Sequence, residues 1–589
     1  MDKILTYIAA SSDEGQTLGS VLRSGLGLTA RQIKQVKFLP DGLFINGERF
    51  RDGRLITTRT IVRENDHIRV KFQEKSETVV PFEGELAIVY EDEDIVFINK
   101  PAGLVAHPAH GHFFDTLANR LAARYEEPAR LIGRLDKDTS GLIGAARNSV
   151  AATRLEEQRR NKTLSREYLA LVSGRLQGSG RVEAPLAEQR DILMKMVVDP
   201  CGKPAITDYK VWHSWPECSL VHLKLLTGRT HQIRVHMAHL GHPLLGDSLY
   251  GNGAIDGLKR TALHSFRIRA RQPFTGAAMD ITALPPDDMK SRWEIELMNE
   301  LRKYMERLTF PPEAVEALLP QMNAEIDVIG QKYMAEELEW GEALEQVKAM
   351  GEGECYGRQM MLAVSCMPEL RRRYAEAGLD DELFWGIMMD LKYKLMECKN
   401  VKGEWGSFVA HWFDWHYKMK RFALGRLQFE EREWSGEEPI EKAGIVVQPG
   451  ETVINMHIPS AGPLTEELRM DAYRRAYDFF ADCYRDGKLV MVCHSWLLDP
   501  EYQTFLPETS NIVGFQKDFD IVRVDKKDTF GESWRIYGAP GDKVVDQSNA
   551  AEMPRDTSMQ RAFADFLAAG GKTGTGHGVI VFDGKEIIR

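Results

Sequence analysis

Gly133-Arg134-Leu135-Asp136-Lys137-Asp138-Thr139-Ser140-Gly141-Leu142 is the densest polar segment between apolar runs in the chain. Its glycines bracket a tight loop, and loops of this kind present reactive groups from a rigid sheet. Three uses of the two carboxylates are chemically open. Asp136 and Asp138 chelate a hard cation, or Asp136 is a nucleophile or base, or both cap turns, for which Asp, Thr, Ser and Gly are ordinary residues.

Further along lies Thr227-Gly228-Arg229-Thr230-His231-Gln232-Ile233-Arg234-Val235-His236. Thr230 reads as an N-cap and His231 to Leu240 as a helix stopped by Gly241, with Pro243 beyond. Ile233, Met237 and Leu240 then form the buried stripe, while His231 and Arg234, three apart, project together from the first turn. His231, His236, His239 and His242 scatter around this helix and past its end. No carboxylate falls at ligand spacing, so no metal site is expected.

The 589 residues carry a net charge of -11, which taken as an average argues against a nucleic-acid partner. The average misleads. Residues up to Glu300 hold 41 basic and 38 acidic side chains, and the remainder 35 and 49. Seven cysteines without a C-x-x-C pair make neither a disulfide framework nor a zinc knuckle. No basic stretch with an apolar core opens the chain, and no run of about 18 apolar residues occurs. The expected location is the cytoplasm.

Around the Asp136 segment the chain changes texture several times. Residues 18–22 and 29–38 read as two short helices, the second capped by Thr29 with Arg31, Lys34 and Lys37 along one face. Leu43-Phe44-Ile45 and Arg49-Phe50-Arg51 flank Asn46-Gly47, a hairpin signal, and residues 67–72 alternate apolar and basic. From Leu86 to about Pro286, glycine turns separate short β-branched strands. Periodic helical stretches such as residues 384–396 follow, and strands return from about Lys442. The pairs Pro285-Pro286 and Pro311-Pro312 bracket the expected linker.

Five motifs occur in fixed order: Lys100-Pro101-Ala102-Gly103-Leu104, the Arg134-Leu135-Asp136 loop with Thr139-Ser140-Gly141, residues Arg166 to Gly174 beginning Arg-Glu-Tyr, the Gly228 to Arg234 segment, and Gly241-His242-Pro243 with Gly246-Asp247 and Tyr250-Gly251. Together they resemble the RNA pseudouridine synthases that modify ribosomal large-subunit and transfer RNA. The resemblance implies an α+β catalytic domain on a mixed, mostly antiparallel sheet with a central cleft. It also implies isomerisation of uridine in structured RNA without a cofactor. By resemblance Asp136 is the catalytic carboxylate, as nucleophile or as base, and a carboxylate under a base stays ionised only beside a fixed cation, here expected to be Arg234. Tyr168 matches the aromatic residue that stacks on uracil. Ile233 and His231 are expected against the substrate, and Arg134 where an arginine enters as the uridine flips out. Two positions depart from the family pattern. Gly133 stands where histidine is common, and Arg271-Gln272-Pro273 stands where His-Pro is usual.

The residues before Val79 are similar to a small ribosomal-protein-type RNA-binding domain, which makes Arg31, Lys34 and Lys37 RNA-binding candidates. Trp412 to Tyr417, Leu424 to Glu430, Asn455 to Pro459 and Cys493 to Pro500 resemble a family with a helical domain followed by a GNAT-like acyltransferase domain. The glycine loop such an enzyme uses for acyl-coenzyme A is not found, and Gly570 to Gly576 reads as a structural turn between a helix and a strand. The expected organisation is multidomain α+β. It comprises a small α/β RNA-binding domain (1–79), a pseudouridine synthase domain (80–288), a helical domain (289–440) and a GNAT-like α/β domain (441–589). The competing reading is a coenzyme-A-dependent N-acyltransferase targeted by an RNA-binding half, or a bifunctional enzyme, with a protein partner for the acidic half.

Overall fold

A computed structural model describes residues 3–588 apart from 74–78, 110, 126–129, 190–194 and 256. The chain divides into two compact units, Met1–Trp293 and Glu294–Arg589. Among the described residues no helix is long and apolar enough to cross a membrane.

The first unit opens with a small antiparallel sheet, in the order Lys3–Ile8, His67–Phe72 and Leu43–Ile45. Alternation in His67–Phe72 sends Ile68, Val70 and Phe72 into a core shared with Val21, Leu22, Ile33 and Val36. The helix Ala30–Lys37 starts at Thr29 with a capping box, in which Thr29 Oγ1 accepts from Gln32 N and Gln32 Oε1 accepts from Thr29 N at 2.9 Å. Arg31, Lys34 and Lys37 lie exposed on its outer side. The hairpin expectation needs correction. Asn46 and Gly47 do make the positive-φ turn, but it closes a single bridge, Ile45 to Glu48. Leu43–Ile45 pairs with His67–Phe72 instead, and Phe50–Arg51 turns back on Arg54–Leu55 through a second positive-φ pair, Asp52 and Gly53.

A mixed sheet, ten-stranded among the described residues, forms the body of this unit. Its central order is Cys218–Leu225, Ser165–Ser173, Leu263–Arg271, Ser140–Ala146 and Ile95–Lys100. All of these pairings are antiparallel except one, Leu263–Arg271 beside Ser140–Ala146. Ser140–Ala146 is buried along its whole length, which explains its unbroken run of small and apolar residues. At its entry Gly141 has φ +110°, and a Cβ there would stand 2.3 Å from Ser265 O, so no other residue fits. The loop carrying Asp136 therefore feeds straight into the centre of the sheet.

The expected linker is a helix. Asp287–Arg307 begins directly after Pro285-Pro286, its first turn acidic as the helix dipole favours. Met289 and Trp293 in the first unit, then Leu297, Leu301 and Met305 in the second, are buried at four-residue spacing. A buried ridge of this kind makes a packed element out of a segment whose flanking prolines read as a connector.

The second unit carries long helices, among them Tyr356–Glu376 and Asp381–Lys402, and then a mixed sheet, seven-stranded among the described residues. Thr452–His457 and Leu489–Ser495 run parallel at its middle. Gly574–Phe582 is its neighbouring strand, preceded by the helix Ser558–Ala568. A Cβ on Gly571 would lie 2.4 Å from the Phe566 ring, so the glycine-rich segment serves a tight reversal.

Candidate active site

The Asp136 loop is fastened from behind. Thr139 N donates to Asp136 O at 3.2 Å and Gly103 N to Lys137 O at 2.9 Å. Lys100, fully buried, donates from Nζ to the carbonyls of Pro101, Leu104 and Lys137 at 2.9, 2.9 and 3.1 Å. Burial pulls its ammonium down to about 8, with Asp138 and Asp136 opposing. Arg260 adds a bond from Nη1 to Asp138 O at 3.3 Å while its other nitrogens grip Asp288 at 2.7 and 2.8 Å.

Facing the loop is the helix Gln232–His239. It starts one residue later than expected, because His231 takes the left-handed cap position at φ 57°. Gln232 organises this entry, since its Oε1 accepts from Arg229 N at 3.0 Å and from Thr227 Oγ1 at 2.9 Å. The strained cap turns His231 so that Nδ1 meets Tyr250 OH at 3.0 Å and Nε2 stands 4.0 Å from Asp136 Oδ2. Burial holds the His231 pKa below its ordinary value, with the Asp136 carboxylate opposing.

Arg234 brings Nη1 to 3.8 Å from Asp136 Oδ2. Its closer partner is Asp247, to which Nε and Nη2 donate at 2.7 and 2.8 Å. Asp247 is fully buried and also accepts from Leu249 N and Tyr250 N. Burial opposes charge on both groups, yet the pairing prevails, so the guanidinium sits above and the Asp247 carboxyl below its usual range. Arg234 is thus the cation beside Asp136, as expected, and is itself held by Asp247, a partner the sequence did not single out.

These groups open on a cleft of about 400 Å³, also lined by Tyr168, Ile233, Leu225 and Leu263. Tyr168, 3% exposed, has its phenol raised by burial and further by the Asp136 carboxylate. Arg134, Arg159, Arg166, Arg229 and Arg234 surround the cleft, and Asp136 is the one acidic group among its described lining residues. Of the four histidines weighed as metal ligands, His236 bonds Thr207 Oγ1 and Ala184 O, and His242 bonds Ser173 O, both away from His231.

Arg159, Arg166, Arg229, Lys100 and Asp247 are cleft or support residues to which the sequence reading gave no role. Arg229 and Arg166 lay inside the quoted motifs, and Asp247 in the Gly246-Asp247 pair, so the signal was present without the geometry. The departure at Gly133 has a local reason. Its φ is +88°, and a Cβ would come within 3.0 Å of Arg166 Nη1.

The RNA pseudouridylate synthase family model matches residues 94–239. The chain is 35% identical over 330 residues to ribosomal large subunit pseudouridine synthase D of Vibrio parahaemolyticus, covering 53% of this chain and 98% of that protein. It is 38% identical over 296 residues to an uncharacterised RNA pseudouridine synthase of Bacillus subtilis, covering 49% and 95%. In the second half, an N-acyltransferase N-terminal domain matches residues 299–419 and a GNAT-like C-terminal domain residues 422–580. A solved acyltransferase in complex with decanoyl-CoA is similar to 50% of this chain and 95% of its own, at 20% identity and a TM-score of 0.37. The chain belongs to the RNA pseudouridine synthase family. It is an enzyme that isomerises uridine to pseudouridine in RNA, a change with no net redox and no cofactor.

Proposed function

We propose that Asp136 is the carboxylate that acts at the sugar of a flipped uridine in structured ribosomal or transfer RNA. The observation that carries this reading is Asp136 as the one acidic side chain among the described residues of a cleft lined by five arginines, with Arg234 3.8 Å from its carboxylate oxygen. Breaking the base-to-sugar bond requires a group that attacks the anomeric carbon or removes a neighbouring proton. Arg234 and His231 fix the direction of that carboxylate, Tyr168 and Ile233 flank the uracil as it turns, and Arg134 at the mouth takes the space the uridine leaves in its stack.

Phosphates need cations and supply most of the affinity. A basic track continues from the cleft through Arg159, Arg160, Lys162, Arg166, Lys224 and Arg229. In the same reading the small N-terminal sheet and its helices form an RNA-binding domain, with Arg31, Lys34 and Lys37 on phosphate. We divide the chain at 79, 288 and 440 into RNA-binding, synthase, helical and GNAT-like parts and assign it to the cytoplasm, where its RNA would be. The acidic second half suits a protein partner better than a phosphate backbone. We assign it no coenzyme site, because its glycine-rich segment serves a turn.

The test is pseudouridine mapping across cellular RNA in cells lacking the gene and in cells carrying Asp136→Asn. A site lost in both names the substrate, while purified Asp136→Asn should still bind that RNA. Modification at wild-type level by the mutant would remove Asp136 from this role.

A further inference from the structure

The loop between Ala106 and the helix Leu117–Tyr125 carries two adjacent phenylalanines that the fold leaves in water. Phe113 is 58% and Phe114 59% exposed, with ring centroids 6.4 Å apart and planes inclined at 55°. Neighbouring aromatic rings held out together in this way mark a contact surface. The loop is also pinned. Ala109 and His112 exchange two backbone hydrogen bonds of 2.9 Å, the buried Asn119 donates to Phe113 O at 3.3 Å, and His112 Nδ1 lies 3.2 Å from Asp115. The rings are therefore presented in a set position, which reduces the ordering cost of binding.

The loop adjoins the chemistry at two points. His107 is part of the wall of the Asp136 cleft, and His112 Nε2 lies 3.4 Å from Nζ of Lys137, the residue after Asp136. Lys137 and Arg134 are exposed on the Asp136 loop, and Lys137 meets the phenylalanine loop at His112. Aromatic faces beside cations form a platform for unstacked bases, which every base can use regardless of sequence.

We propose that Phe113 and Phe114 stack on RNA bases next to the uridine held at Asp136, keeping the strand open while the target is flipped. The inference rests on the RNA reading above. Stacking on an aromatic ring contributes about 1–3 kcal/mol per base, so removing both rings should raise the half-saturating enzyme concentration by about thirtyfold or more.

The experiment uses the full chain and total RNA from cells lacking the gene, which contains the unmodified target whatever its class. Pseudouridine formation is followed at increasing enzyme for wild type, Phe113→Ala/Phe114→Ala, Phe113→Leu/Phe114→Leu and Phe113→Tyr/Phe114→Tyr. The expected result is weaker half-saturation for Ala and Leu, a limiting rate that changes much less, and recovery with Tyr. Recovery with Leu as complete as with Tyr would make the contact merely apolar and overturn the proposal. Unchanged half-saturation in the Ala variant, with or without altered self-association, would assign the rings elsewhere and overturn it also. A wild-type enzyme that forms no pseudouridine on this RNA would overturn the functional reading first, and the platform with it.

Discussion

Asp247 grips Arg234 through two bonds of 2.7 and 2.8 Å, while the third guanidinium nitrogen stands 3.8 Å from Asp136. The fully buried carboxylate is the anchor, and the partly exposed one is the group proposed to act on uridine. A planar fork held along one edge can turn only as a rigid body, so its remaining nitrogen marks a fixed point in the cleft. If Asp136 acts as proposed, Asp247 is a positioning residue that reaches it through Arg234.

Asp247→Asn tests that role. The amide keeps an oxygen for Leu249 N and Tyr250 N but presents a donor, or at best a neutral acceptor, to Arg234. Losing a charge-assisted pair should lower kcat for pseudouridine formation by about 10–100-fold. The RNA concentration for half-saturation should stay within about twofold, because the other arginines lining the cleft are untouched. Steady-state assays at saturating RNA would show the fall, and an unchanged kcat would free Asp247 of its part.

Gly141→Ala should cost the first unit about 3 kcal/mol or more, since it adds a left-handed strain to a clash with backbone. The clash partner, Ser265 O at 2.3 Å, belongs to the adjoining strand and has no side-chain freedom with which to yield. Calorimetry should show the corresponding transition shifted down by several degrees or lost.

How far the sequence could be read follows from the range of the interactions. The helix cap at Thr29 and the alternation of His67–Phe72 are local, and each appears where propensity and period place it. The candidate site was legible as a set of residues, for Asp136, Tyr168 and Arg234 stand in ordered motifs and line one cleft. Their distances were not. Nothing in the spacing of Arg234 and Asp247 says that the chain between them folds back to pair them. The Asn46-Gly47 turn failed as a hairpin for the same reason. The turn chemistry is local, but Leu43–Ile45 finds more apolar partners in His67–Phe72 than in the charged segment that follows it. At Asp287–Arg307 two proline pairs looked like punctuation, whereas the residues between them carry a four-residue apolar period that helix packing uses.

In the second unit Glu430 is 4% exposed and accepts from Arg421 Nε at 2.7 Å and Asn455 Nδ2 at 3.0 Å, with His457 Nε2 at 2.9 Å. Although burial opposes it, contact with His457 and Arg421 draws the Glu430 carboxyl down to about 2. Glu430→Gln leaves Arg421, itself 3% exposed, without its counter-charge and should destabilise this unit by about 3–5 kcal/mol. Replacing both residues, Arg421→Met with Glu430→Met, should recover most of that loss, because an apolar pair needs no desolvated charge. Thermal melts of the single and double variants decide it. A double variant as weak as the single one would show that the charges, and not merely their balance, hold the sheet.

His264 gives a pH dependence of known sign. The ring is fully buried, with Nε2 at 2.8 Å from Ala283 O and Nδ1 at 2.9 Å from Ser140 Oγ. A carbonyl only accepts, so Nε2 carries the proton and Nδ1 accepts from the serine. Burial pulls the imidazole down to about 4, the Ala283 carbonyl opposing in part. In the unfolded chain the same ring binds a proton near pH 6.5. Between those values the unfolded state holds more protons than the folded one, so stability falls as the pH falls. The contribution, about 3 kcal/mol in full, is present above pH 6.5 and gone by about pH 4, with roughly 2 kcal/mol lost by pH 5. His264→Gln has no such proton to take up. The gap in melting temperature between wild type and this variant should therefore be widest near pH 7.5 and narrow toward pH 5. Because Ser140 ends the Asp136 loop, pseudouridine formation by the wild type should weaken over the same range. A gap that stays constant with pH would mean that the folded ring titrates like the free one, and the buried neutral tautomer would have to be given up.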